Sequence, residues 1–245
     1  MNAFTRTACL LTLTLSAWAG VVQAGIQLTG TRVIYPAGDR EVTVKVVNNG
    51  ASPRLLQSWV DSGDPKQSAQ DSLAPFMVTP PLTRIEPGKG QALRLMFTGA
   101  TLPQDRESVF WLNVLEIPPQ PKADKDDSQN FVQFAVRTRI KIFYRPKGLP
   151  GDLVAAWGQL TWRLLPQGSG YVLECNNSTP YNVSFSDVRL KGSAPKKSIT
   201  KGGMCPAKGH ETFPVDGTPR ADGKLVFTAI NDYGGFTERE ADYSH

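Results

Sequence analysis

An all-β chain folded as two successive sandwiches is what this sequence predicts, and three observations carry the prediction. Short runs of apolar residues alternate with polar ones or stop at turn signals. The 19 prolines and 22 glycines punctuate those runs along the whole chain. No window sustains apolar residues at i, i+3, i+4 and i+7 for long. Side chains repeat every two residues on a strand and every 3.6 on a helix, so alternation closed by Gly, Pro and Asn reads as strands joined by turns.

The first residues are set apart. Arg6 is the only charge in the first 24 positions, the apolar run Ala8-Cys9-Leu10-Leu11-Thr12-Leu13-Thr14-Leu15 follows it, and Val22-Gln23-Ala24 supplies small residues. A charged start, a short apolar stretch and an A-x-A-like site are the parts of an export signal. The apolar stretch is too short to span a bilayer, and no later segment approaches 18 uninterrupted apolar residues, so residues 1–24 are expected to be removed and no stable membrane insertion is expected. The remaining 221 residues, beginning at Gly25, suffice for two domains of about 110. Loss of Arg6 takes the formal charge from +5 to about +4, spread without a basic stripe or interleaved aromatics, which argues against a nucleic-acid partner.

The strands then follow in order. Val42-Thr43-Val44-Lys45-Val46-Val47 alternates and breaks at Asn48-Asn49-Gly50. Ala92-Leu93-Arg94-Leu95-Met96-Phe97 follows the turn Glu86-Pro87-Gly88-Lys89-Gly90, and Val109-Phe110-Trp111-Leu112-Asn113-Val114-Leu115 ends at Pro118-Pro119. Residues 160–165 and 171–175 flank Pro166-Gln167-Gly168-Ser169-Gly170 as a hairpin, and residues 183–185 and 225–230 continue the pattern. Lys147-Gly148-Leu149-Pro150-Gly151-Asp152 is a short stiff linker, which puts the domains at 25–148 and 149–245.

Cys9 leaves with the leader, so Cys175 and Cys205 remain. In an oxidising compartment an isolated pair reads as a disulfide. It closes a loop of about 30 residues, worth roughly 3–4 kcal/mol in the chain-entropy model. Metal binding is the rival, but neither cysteine has a second ligand at CxxC spacing. Catalytic signatures are missing. His210 and His245 have no HExxH spacing, Gly88-Lys89-Gly90 lacks the rest of a P-loop, and no Gly-x-Ser-x-Gly elbow occurs. Asp124, Asp126 and Ser128 begin like a calcium loop, but Gln129 and Ala135 stand where its glycine and closing glutamate belong. A binding protein with no catalytic residues, metal or cofactor is expected.

The most informative stretch is residues 120–146. A charged loop ending Asp124-Lys125-Asp126-Asp127-Ser128-Gln129-Asn130 leads into a strand expected over residues 131–144. Val132, Phe134, Val136, Ile140 and Ile142 share one parity; Gln133, Arg137, Arg139 and Lys141 share the other. Periodicity alone describes one core face and one wet face. Length argues for something else, because about 14 residues overreach an ordinary sandwich strand, as an edge strand that offers Val132, Phe134 and Val136 to another protein would.

Leu102-Pro103-Gln104-Asp105-Arg106-Glu107-Ser108-Val109-Phe110-Trp111-Leu112-Asn113 with Glu116-Ile117-Pro118-Pro119 resembles the signature of the periplasmic pilus (fimbrial) chaperones of the chaperone–usher pathway. So do Thr79-Pro80-Pro81 through Arg84-Ile85-Glu86-Pro87-Gly88, Ile140-Lys141-Ile142-Phe143-Tyr144-Arg145-Pro146, and Ile230-Asn231-Asp232-Tyr233-Gly234-Gly235. Asn177-Ser178-Thr179-Pro180-Tyr181 is similar to the family's Asn-Pro-Thr-Pro-Tyr, with Ser178 for the first proline. These motifs run from about Thr31 to Gly235 in the family's order.

The resemblance implies two immunoglobulin-like sandwiches set in an L or boomerang, with a binding cleft between them. It implies a periplasmic chaperone that holds pilin subunits one-to-one, lends them a strand through Val132, Phe134 and Val136, and delivers them to an outer-membrane usher. It implies that Arg32 and Lys141 hold the subunit's C-terminal carboxylate, and that Glu107, Arg145 and Asp232 form an interdomain ion network. Paired cations suit a carboxylate in a cleft, which needs charged donors on both oxygens. Alternation puts Lys141 off the apolar parity, so a twist or kink is expected to turn it inward. The loop before the lending strand is a few residues longer than in short-loop members but far from the long-loop type, and neither Cys175 nor Cys205 sits near it, so the resemblance implies a short-loop chaperone serving rod-like pili. The alternative is a structural pilin or two-domain tip adhesin of the same system. A pilin would begin with a detached alternating extension, whereas residues 25–35 run directly into the arginine motif.

Overall fold

The computed structural model describes residues 25–119, 132–168, 170–192, 203–215 and 223–244. The expected leader (1–24) and the charged loop before the lending strand lie outside these residues. The first domain is a sandwich of two sheets. One, in spatial order, is β1 (Ile26–Leu28), β3 (Val42–Asn48), β7 (Gly90–Phe97) and β5 (Phe76–Thr79). The other is β2 (Arg32–Pro36), β9 (Val136–Arg145), β8 (Ser108–Ile117), β4 (Arg54–Asp61) and β6 (Leu82–Ile85). The second domain packs β10 (Thr161–Gln167), β11 (Gly170–Asn177) and β14 (Gly209–Val215) against β13 (Met204–Cys205), β12 (Val183–Leu190), β15 (Lys224–Ile230) and β16 (Phe236–Asp242).

Alternation builds both cores. Val44 and Val46 of β3, Leu93 and Leu95 of β7, and Phe110, Leu112 and Val114 of β8 point inward, while Lys45 and Arg94 stay in water. Tyr35 is buried with them, and its hydroxyl oxygen accepts the Phe97 N–H at 3.0 Å, so the polar tip is not stranded. In the second core Trp162 packs on Phe185, Phe213 and Phe227 with ring centroids 5.6–6.1 Å apart. The hairpin read from residues 160–175 forms: β10 and β11 pair antiparallel from Thr161↔Asn176 to Gln167↔Gly170.

Two features differ from the sequence reading. The long strand starts later, at Val136; residues 132–135 are not in a strand, because β8 ends at Ile117 and its last pairing is Glu116↔Val136. A short helix, α1 (Leu153–Trp157), follows the linker, capped by Asp152, whose Oδ1 accepts the Ala155 N–H at 2.7 Å. Cys175 and Cys205, the expected disulfide pair, are fully buried side by side, with Cys205 Sγ 3.1 Å from the Cys175 carbonyl oxygen.

Candidate functional site

β2 is the one strand that joins the five-stranded sheet in parallel, and its register is decisive: Arg32 pairs with Lys141 and Pro36 with Arg145. Lys141 also pairs with Trp111 on β8, and Trp111 with Asp61 on β4. Arg32, Lys141, Trp111 and Asp61 therefore form a single row on one face of the sheet. That face is opposite the one carrying Ile140, Ile142 and Tyr144 into the core. No kink turns Lys141 inward. Regular alternation suffices, because the face off the apolar parity is not open surface but the wall of a cleft against the second domain.

The cleft holds a cavity of about 490 Å³. Arg32, Lys141 and Arg139 line it beside apolar Trp111, Phe185, Ile230 and Phe236. Arg32 reaches across to the second domain, with Nη1 donating to the Ile230 carbonyl at 3.3 Å, and lies over the Phe143 ring at 5.9 Å. Its Nε is buried without a hydrogen-bond partner among the described residues. Burial pulls the Lys141 pKa down to about 8, and the charges of Arg32 and Arg139 add to the effect. Burial also lowers Arg32, against an opposing pull from Asp232. Cations held this way gain from an entering anion, which relieves both the burial and the mutual repulsion.

One end of the cleft is closed by an ion network that comes from both domains. Arg145 Nε donates to Glu107 Oε1 at 2.6 Å, and its Nη1 and Nη2 donate to the two oxygens of Asp232 at 2.7 and 2.9 Å. Burial works against the Arg145 charge, but the Asp232 hydrogen bonds and Glu107 outweigh it and hold its pKa above the ordinary value. Glu107, almost wholly buried, is pushed up by that burial despite Arg145. Its Oε2 accepts the Asn182 backbone N–H at 2.8 Å.

The stretch 177–181 places those partners. Asn177 Oδ1 accepts from the Thr179 N–H and hydroxyl, and its Nδ2 donates to the Tyr181 carbonyl. The local turn sets the Tyr181 ring 5.4 Å from the Arg145 guanidinium. The turn after β15 seats on the first domain. Gly234 has φ +85°, and a Cβ there would lie 2.6 Å from Thr31 Oγ1, so only glycine permits the approach.

At the other end β9 has an open edge. β2 pairs only with residues 141–145, so among the described residues 136–140 pair with β8 alone. Beyond them Val132, Phe134 and Val136 are 75%, 78% and 53% exposed. They keep the core parity of β9, but they lie where the sandwich has run out.

The structure thus brings Arg32 to Lys141, joins Glu107, Arg145 and Asp232, leaves Val132, Phe134 and Val136 exposed beside the cleft, and sets Cys175 by Cys205. It adds residues the sequence reading passed over. Asp61 and Asn113 are fully buried on the cleft face. Arg139 donates to both Asp61 oxygens (2.9 and 2.5 Å), and Arg137 donates twice to Asn113 Oδ1 (2.8 and 2.6 Å). The available signal was an asparagine inside the apolar run 109–115, opposite a strand with arginines on the matching parity.

Known proteins agree with this architecture. The family model for the pili and flagellar-assembly chaperone PapD N-terminal domain matches residues 25–150, and that for the pili assembly chaperone PapD C-terminal domain matches residues 155–241. The chaperone protein FimB/FhaD of Bordetella pertussis is 42% identical over 231 residues, covering 93% of this chain and 91% of that protein. The crystal structure of the YadV chaperone superposes with a TM-score of 0.73 at 42% identity, covering 89% of this chain and all of that one. A SafB chaperone of Salmonella enterica, solved in complex with the SafA pilin, gives 0.72 at 30% identity, covering 89% of this chain and 96% of that one. The pilin and tip-adhesin alternative gives way to this family. Among the described residues no helix is long and apolar enough to cross a membrane. Two PapD-type domains in tandem, matched over nearly the whole of the described sequence, place this chain in the pilus-assembly chaperones of the chaperone–usher pathway, a family of chaperones and not of enzymes.

Proposed function

We propose that this chain captures pilin subunits in the periplasm, one per chaperone, by adding the open half of β9 to an incomplete subunit sheet, and then passes them to an outer-membrane usher. The observation that carries the reading is the pairing of Arg32 with Lys141 at the point where the β9 edge becomes free. A carboxylate held there sits at the start of an unpaired backbone edge, followed by exposed Val136, Phe134 and Val132. The direction follows. A strand whose C-terminus lies at Lys141 and which extends back toward Val132 runs parallel to β9. Glu107, Arg145 and Asp232 hold the two domains at the angle that forms the cleft. The complex of SafB with a pilin supports a subunit as partner. In the oxidising periplasm Cys175 and Cys205 join as a disulfide, which leaves neither thiol free to label in denatured, unreduced protein.

The test compares capture of a native subunit with capture of one whose terminal carboxylate is amidated, by wild type and by Arg32→Ala/Lys141→Ala. Loss of a charge-assisted anchor weakens binding by roughly 2–5 kcal/mol, tens- to thousands-fold. Amidation and the double substitution are expected to cost equally and not to add. Phe134→Glu is expected to fold normally and to lose capture. Full capture by the double variant, or unfolding of Phe134→Glu, overturns the reading.

A further inference from the structure

The open half of β9 is exposed on one edge, yet its other attachments are dense. Arg137 and Arg139 leave it on the cleft face and lean diagonally across the sheet. The Arg137 guanidinium lies 4.7 Å from the Trp59 ring, and Arg139 lies 4.6 Å from Trp111. Beneath both is Asp61, the last residue of β4, with its side chain wholly buried. Its oxygens accept from Arg139 Nε and Nη2, from Asn113 Nδ2 at 2.7 Å and from the Gly63 N–H at 2.7 Å, with Arg137 Nη2 at 3.6 Å. Arg137 Nη1 also donates to the Pro65 carbonyl at 2.7 Å, which ties the loop after β4 to the same point.

A buried carboxylate persists only when charged donors replace its water. The donors here come from the two adjacent strands β9 and β8 and from the loop after β4. Burial by itself would raise the Asp61 pKa, but the Arg139, Asn113 and Gly63 donors prevail and hold it below the usual carboxylate range. It therefore stays ionised at neutral pH. The residues it anchors are those that lack β2 as a neighbour. Where the paired half has a strand on each side, the open half has one strand and this side-chain root.

We propose that Asp61 is a positioning residue for subunit capture: through Arg139 and Arg137 it fastens the open half of β9 flat onto β8 and β4, so that the edge is ordered before a subunit arrives. Strand addition by a loose edge loses affinity to the ordering of that edge, and an edge already straight avoids the loss. Asp61 touches no subunit in this arrangement. It also offsets the Arg139 charge beside Lys141, which leaves the cleft's carboxylate preference to Arg32 and Lys141. The inference rests on the strand-lending reading above, but its first readout needs no subunit.

The experiment is amide hydrogen exchange on the free, full-length exported protein, comparing wild type, Asp61→Asn and the length-compensated pair Asp61→Glu/Arg139→Lys. Asp61→Asn is expected to speed exchange at least tenfold at those amides of residues 137–140 that bond β8, while the bonded amides of residues 142–144 stay slow, and the compensated pair is expected to restore protection. Subunit association is expected to slow in Asp61→Asn while the penalty for an amidated subunit persists, because the clamp remains. If Asp61→Asn fails to fold, Arg139→Gln removes the same pair without changing the buried acid, and the same selective exchange is expected. Uniform acceleration over the first domain, or unchanged exchange at 137–140, overturns the proposal. Loss of the amidation penalty in wild type instead overturns the carboxylate clamp and leaves Asp61's anchoring role to the exchange data.

Discussion

Residues 136–140 and 141–145 belong to one strand with one unbroken alternation, yet they occupy different surroundings. The second group lies between β2 and β8 and ends in Arg145, which ties the two domains together. The first group has β8 on one side and an open edge on the other. Burial changes near the same point: Ile140, the last residue of the first group, already joins Ile142 and Tyr144 in the core, while Val136 is exposed. The difference teaches that a strand supported on both sides and a free pairing edge are separated along one strand, with Lys141 at the boundary.

The separation can be broken most directly at Arg145. Arg145→Ala leaves Glu107 buried with its charged donor gone, which is expected to lower stability by about 3 kcal/mol or more. Val136→Ser on the open half is expected to change stability by no more than about 0.5 kcal/mol. Denaturant unfolding of the two variants is the check, and equal losses would end the distinction between the halves.

A smaller effect is expected at the boundary itself. Lys141 titrates near 8 in the folded protein against 10.5 when unperturbed, so between those values the unfolded chain binds more protons. This site therefore makes the free protein more stable as pH rises from about 8 to about 10.5, by up to about 3 kcal/mol. With the proposed clamp, subunit capture is expected to have the opposite sign, because a carboxylate there favours the charged lysine and is released as that proton leaves. Unfolding and capture measured in parallel across this window should diverge in wild type, and Lys141→Met should remove this rise in stability and this loss of capture from both slopes. Capture that stays level through the window would remove Lys141 from the clamp.

Much of the fold was legible in residue order. β3 and β7 follow from alternation closed by Asn-Gly and Pro-Gly turns, and the hairpin β10–β11 from its Pro-Gln-Gly stretch. The five-residue helix α1 was not, since it is too short to establish a period. Neither was the parallel seating of β2, because alternation says which residues share a face and not which strand lies alongside. The same limit explains Lys141. Its parity was read correctly, but the opposite face was taken for water when a second domain covers it. Asp61 and Asn113 were hidden for a related reason: β4 and β8 are central strands buried on both faces, where a polar residue interrupts an apolar run without announcing its partner.

If the proposed clamp holds, the parallel pairing that begins at Arg32 and Lys141 also makes the chaperone a gauge. Its zero is a chain end, and its scale is the pleat of β9, about 3.3 Å per residue, so that Val136 lies about 16 Å from Lys141. Anything measured against it is counted backward from its last residue. One residue added to or removed from that end would turn every side chain of the measured segment to the opposite face. Insertions elsewhere in the client would pass unnoticed. Subunits of very different length and surface can share such a carrier if they agree in the spacing of their final residues.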